Sequence, residues 1–156
     1  LQRLNFVLLA YKLAKQLLPH EKDNMNYRLL LEKPYVELGY DEEHQVLITK
    51  WKGSLDVAQV RSIIEFKVDF IRDHDIRYNL NDHTALKVLS PEVQQYLVEE
   101  GHIALEKAGL RKIAVKLAKD IFAQATVRKV NRVEYYNKLQ IKVFSNYEDA
   151  YDWLLG

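Results

Sequence analysis

Among the loops expected to close strands, one places an acid beside a base: Asn81-Asp82-His83-Thr84. A carboxylate and an imidazole can exchange a proton, and a serine nucleophile would complete the set for acyl transfer. Ser54 or Ser90, with His83 and Asp120, are the residues of the right types. The pattern stops there. Adjacency in sequence does not make Asp82 and His83 face each other. No Gly-x-Ser-x-Gly occurs, and five glycines are too few for a loop that cradles phosphate. Catalysis is therefore not expected, and Asn81 and Asp82 read as loop-tying residues that bond their own backbone. Because ligands in open α/β sheets sit beyond the carboxyl ends of parallel strands, Ser54, Asn81, Asp82, His83, Thr84 and Ser90 are the candidate partner- or ligand-binding residues.

Metal and cofactor chemistry find no donors in pattern. His20, His44, His74, His83 and His102 include no His-x₃-His spacing, and the chain has no cysteine. That removes thiolate nucleophiles, zinc ribbons, iron–sulfur clusters and redox pairs. His74, between Asp73 and Asp75 at an expected helix end, suits the carbonyl dipole there. No metal and no cofactor are expected.

The formal charge of +1 conceals segregation. Residues 110–132 hold Arg111, Lys112, Lys116, Lys119, Arg128, Lys129 and Arg132 against Asp120, while residues 32–43 hold five acids against Lys33. A basic strip with Tyr135 and Tyr136 near it suits an acidic protein or a phosphorylated ligand. Without a recognition motif, nucleic acid is not an expected partner.

The elements that must position these residues follow from periodicity. Residues 1–18 carry Leu4, Val7, Leu8, Tyr11, Ala14, Leu17 and Leu18 at helical spacing. Pro19 and a polar linker end that helix, so residues 1–24 form a preface to a domain at 26–156. Lys12 and Lys15 interrupt the apolar run at 6–10, and no small-residue cleavage site follows, which argues against a signal peptide. Met25, the sole methionine, is a candidate natural start. Period-two runs at 27–31, 35–40 and 45–51 predict an antiparallel meander, with the third strand the most buried. Gly53-Ser54 then offers a cap to a helix at 55–73. Its apolar arc spans about 200° at 100° per residue, with Lys67 in its middle. Strands follow at 76–80, 110–117 and 139–144. Helices are expected from Ser90-Pro91 to 108, over 119–136, and at 146–155 after a Ser145 cap. Glu100 sits near the centre of the second helix's apolar arc, so a buried Lys67–Glu100 pair is expected if both helices cover one face. No run reaches the roughly 18 apolar residues of a membrane span, and a composition 48% hydrophobic and 29% charged excludes a disordered chain.

The order β-β-β-α-β-α-β-α-β-α predicts an α/β sandwich on a mixed sheet. Together with Ile48-Thr49-Lys50-Trp51-Lys52-Gly53, Asn81-Asp82, Leu89-Ser90-Pro91-Glu92, the run from Ala108 to Val115 and the tail from Phe144 to Leu154, it resembles the SpoIIAA-like family. That family lies within the sulfate-transporter and anti-sigma-antagonist (STAS) class. The resemblance covers about residues 26–155. It implies a cytoplasmic, non-catalytic regulatory module that binds protein partners. Pairing with a second copy is a separate expectation, from the apolar surfaces of the leading helix and of the helix at 55–73. Antagonists of the class switch partners on phosphorylation of a serine near the position of Ser90, but the Asp-Ser-Ser-Gly type of motif is absent here, and an N-cap role accounts for Ser90. The alternative expectation is a small-molecule or lipid-binding module, with its pocket at the strand ends or under the leading helix. A membrane is not an expected partner.

Overall fold

The computed structural model describes residues 25–122 and 133–156. The leading helix, its linker and most of the helix expected at 119–136 lie outside the described residues. Seven strands form one sheet: β1 (Arg28–Lys33), β2 (Val36–Asp41), β3 (Val46–Gly53), β4 (Tyr78–Leu86), β5 (Lys112–Lys116), β6 (Glu134–Tyr136) and β7 (Leu139–Phe144). Their spatial order is β1-β2-β3-β4-β5-β7-β6. The first three make the expected antiparallel meander, and β3, β4, β5 and β7 run parallel. Residues 134–136 are strand where the sequence suggests helix. The Asn137-Lys138 turn, with Asn137 at φ 58°, folds β6 back antiparallel on β7.

Helix α1 (Val57–His74) joins β3 to β4. It starts two residues later than the expected cap: Asp56, not Ser54, accepts from the Gln59 amide at 2.7 Å, and the Gln59 side chain answers the Asp56 amide at 3.0 Å. Between β4 and β5 run α2 (Pro91–Tyr96), a widened turn at Leu97–Gly101, and α3 (His102–Ala108). Ser90 caps α2 by accepting from the Val93 amide at 3.3 Å, with Pro91 at the first helical position. Gly109 ends α3 at φ 127°, where a side chain would be strained. In α4 (Tyr147–Leu155) the cap is Asn146, bonded to the Asp149 amide at 2.8 Å, and not Ser145.

Strand alternation sorts the core into two faces. Leu47, Trp51, Ile113 and Val115 pack under α1 and α2–α3, whereas Val46, Ile48, Leu80, Ala114 and Phe144 pack under α4. The wide arc of α1 is thus explained: one edge lies on the sheet and the other on α2–α3. Both layers of helix share a face, yet Glu100 does not reach Lys67. Glu100 points outward and accepts from Arg61 at 3.4 Å, and Arg61 also lies 5.0 Å over the Tyr96 ring. Lys67 alone is left inside, 1% exposed.

Candidate functional site

The π-type turn at Leu97–Gly101 sets the shape of the helical side. The His102 amide donates to the Leu97 carbonyl five residues earlier, so Leu97 and His102 face the same way. Gly101 is buried at the crossing, and a Cβ there would lie 3.2 Å from Leu97 Cδ2. The widened turn stands over the sheet and leaves a cavity of about 190 Å³ between β3–β5, α1 and α2–α3. Val60, Val93, Leu97, Leu105 and Val115 belong to its apolar wall. Its polar groups are Lys67 from α1, Asn81 and His83 from β4, His102 from α3, and the exposed Glu134 of β6.

Asn81 and His83 are alternate residues of β4 and so share the face toward the helices. Asn81 accepts a long hydrogen bond, 3.5 Å, from Lys67 Nζ. Burial lowers the Lys67 amine from 10.5 to about 7. Burial likewise lowers His83 and His102 to about 4, the Lys67 charge acting the same way and Asp82 opposing it at His83. Both rings are therefore neutral at pH 7, each offering one N–H and one acceptor nitrogen. His44, exposed on the opposite side of the molecule, behaves inversely: its bond to Asp41 at 2.8 Å raises it above 6.5. Ring-proton NMR titration should show His44 changing charge above pH 6.5, with His83 and His102 neutral until about pH 4. Because the unfolded chain protonates these two rings near 6.5, stability falls as pH drops from there toward 4. Titration of either ring near 6.5 would contradict the burial argument.

Asp82, next in sequence to His83, points through the other face of the sheet. Burial pushes its carboxyl up, but hydrogen bonds from Thr84 and Tyr147, helped by the Lys116 charge, outweigh this and hold it below the usual carboxylate range. The Thr84 amide donates to Asp82 Oδ1 at 2.8 Å, so Asp82 bonds nearby backbone, but within β4, which runs on to Leu86 where the sequence suggests a loop from Asn81; Asn81 instead faces Lys67. Thr84 Oγ1 accepts from Lys116 Nζ at 2.7 Å beside a second, polar groove of about 870 Å³ that also includes Lys119, Ser145 and Tyr151. The six candidate binding residues therefore divide. Asn81 and His83 join the cavity, Asp82 and Thr84 lie on the far face, Ser54 is exposed beyond β3, and Ser90 caps α2.

The basic strip also divides. Arg111 donates to the Glu106 and Leu110 carbonyls at 3.1 and 2.8 Å, and Lys112 to the Trp153 carbonyl at 2.9 Å. Lys112 and Lys116 open and close β5, about 13 Å apart at strand rise. Lys119 is exposed past the strand, and Arg128, Lys129 and Arg132 lie outside the described residues. Among the described residues no cluster of three or more His, Asp or Glu is placed to hold a metal ion, and no helix is long and apolar enough to cross a membrane.

A mixed sheet with α1 and α2–α3 on one face and a C-terminal helix on the other defines a SpoIIAA-like fold. The structure is similar to the crystal structure of an uncharacterized protein from Shewanella loihica PV-4, of the DUF3478 family and itself described as having a SpoIIAA-like fold. The likeness has a TM-score of 0.51 at 18% identity and covers 86% of this chain and 99% of that one. No family model matches the sequence, and no curated protein matches it.

Proposed function

We propose that this domain is a non-catalytic binding module that encloses one small, mostly apolar molecule between its sheet and the α1/α2–α3 layer. The observation that carries this reading is the cavity. At about 190 Å³ it exceeds the roughly 150 Å³ of an apolar cavity that accommodates benzene, and its few polar groups converge from four elements. Binding without catalysis suits the separation of Asp82 from His83 across the sheet. A partner-protein role, including self-association through α1, draws on the fold likeness and on Phe66, 37% exposed. Ser90 adds nothing to it beyond its cap.

The test is calorimetric titration with 2-phenylethanol, an aromatic ring bearing a short neutral arm. The expected result is saturable one-to-one binding with a negative heat-capacity change. A thermal midpoint that rises with ligand should accompany it, worth about 2.7 kcal/mol at 100 times Kd. No saturable heat and no thermal shift at millimolar probe would contradict the reading.

A further inference from the structure

Resting on the cavity reading above, we infer that the molecule it takes carries a carboxylate, and that Lys67 is the counter-ion awaiting it. Lys67 comes from the middle of α1 and is 1% exposed. Among the described residues it forms no ion pair, and its hydrogen bond to Asn81 Oδ1, at 3.5 Å, is at the outer limit for one. A buried ammonium without an anion is among the costlier groups a protein can hold. A helix position flanked by Ile63, Ile64 and Ile71, all buried, would take Met or Leu at no such cost.

The surroundings fit an anion of one charge. Asn81, His83 and His102 can turn N–H donors toward an oxygen that enters beside Nζ. Among the described residues the one acid on the wall, Glu134, is exposed on β6. Both histidines are neutral at pH 7, so a single lysine supplies the positive charge. A carboxylate balances it, whereas a phosphate dianion would bury a surplus negative charge. The remaining wall is apolar, so the body behind the carboxylate is about one ring in size.

Proton linkage adds a signature. The empty site holds the amine at about 7, and an adjacent carboxylate favours the charged amine. Binding above pH 7 must therefore take up a proton, and affinity for the acid falls as pH rises, whereas affinity for a neutral analogue does not. His83 and His102 do not blur this, because they change charge near pH 4.

The experiment compares phenylacetate with 2-phenylethanol, titrated calorimetrically into the full chain and into Lys67→Met at pH 6.5 and pH 9. In the unsubstituted protein phenylacetate should bind at least tenfold more tightly than the alcohol at pH 6.5, and lose more than tenfold of that affinity by pH 9. Lys67→Met should keep the alcohol and reverse the order. Alcohol binding equal to or tighter than acid binding at pH 6.5 would overturn the inference and leave the cavity reading standing. An acid preference that survives Lys67→Met would also overturn it. Binding of neither probe would remove both. Should Lys67→Met not fold, the pH dependence in the unsubstituted protein decides.

Discussion

Lys67→Met should make the protein more stable at pH 6, by about 2–4 kcal/mol, and the gain should shrink as pH rises. The amine is fully buried, and desolvation lowers it from 10.5 to about 7, a difference that corresponds to about 5 kcal/mol. Below pH 7 the amine is protonated in both states, and the whole burial cost opposes folding. Between about 7 and 10.5 the unfolded chain holds a proton that the folded chain has released, so stability rises with pH across that window. Above 10.5 both states are neutral and the cost is gone. Methionine removes the charge at similar volume, but it leaves Asn81 Oδ1 without its donor, which takes back about 1–3 kcal/mol. Urea unfolding of both proteins from pH 6 to pH 10 gives the difference directly. A gain that stays flat with pH, or a loss at pH 6, would contradict a buried, unpaired lysine.

The fold tolerates this lysine because its neighbours outweigh it. Val60, Ile63, Ile64 and Ile71 are each at most 3% exposed. At roughly 1.5–3 kcal/mol apiece their burial contributes about 6–12 kcal/mol, against about 5 for the charge. The inferred carboxylate gives the amine a role in the cavity.

The second large effect concerns the empty volume. Val93→Phe with Val115→Phe adds two rings to opposite walls of the cavity, from positions 0% and 8% exposed. In a close-packed core each enlargement costs about 1–3 kcal/mol. Here the added atoms occupy existing space, and filling half of it offsets roughly 2 kcal/mol at about 24 cal/mol per Å³. The double variant should keep its thermal midpoint within a few degrees and lose 2-phenylethanol affinity at least a hundredfold. Unchanged affinity would place the binding site elsewhere; collapse of the fold would show that the space is already filled.

Much of this architecture could be read from residue order. The meander, the four parallel strands and the Ser90-Pro91 helix start are local signals, and local physics decided them. The caps at Asp56 and Asn146 are not legible, because Ser54 and Ser145 are equally good cap formers and only the entry angle of each helix selects between neighbours. Strand β6 is not legible in the sequence, because hairpin pairing with β7 overrides the helical composition of that stretch. Lys67 stood out in the sequence as a charge inside an apolar arc. Its partner did not, since helical spacing alone cannot show that Arg61 takes Glu100 at the surface.

The site was legible in fragments. Asn81 to Thr84 read as one loop in the sequence, yet the period of a strand separates Asn81 and His83 from Asp82 and Thr84. His102 carries no metal-ligand spacing in the sequence. Its place depends on the π-type turn, for which Gly101, a helix-breaking residue amid strong formers, was the one signal on offer. Charge alone groups Arg111 to Lys119, whereas β5 holds Lys112 and Lys116 at its two ends, about 13 Å apart at strand rise.

The central claim, that the space between the sheet and α1/α2–α3 holds a small apolar molecule, is tested most directly by isotope-edited NMR of the protein saturated with 2-phenylethanol. Contacts from the probe's ring protons to the methyl groups of Val60, Val93, Leu97, Leu105 and Val115 are the predicted result. Contacts confined to exposed residues such as Leu29, Val88 or Leu155, with those cavity methyls unperturbed, would contradict it.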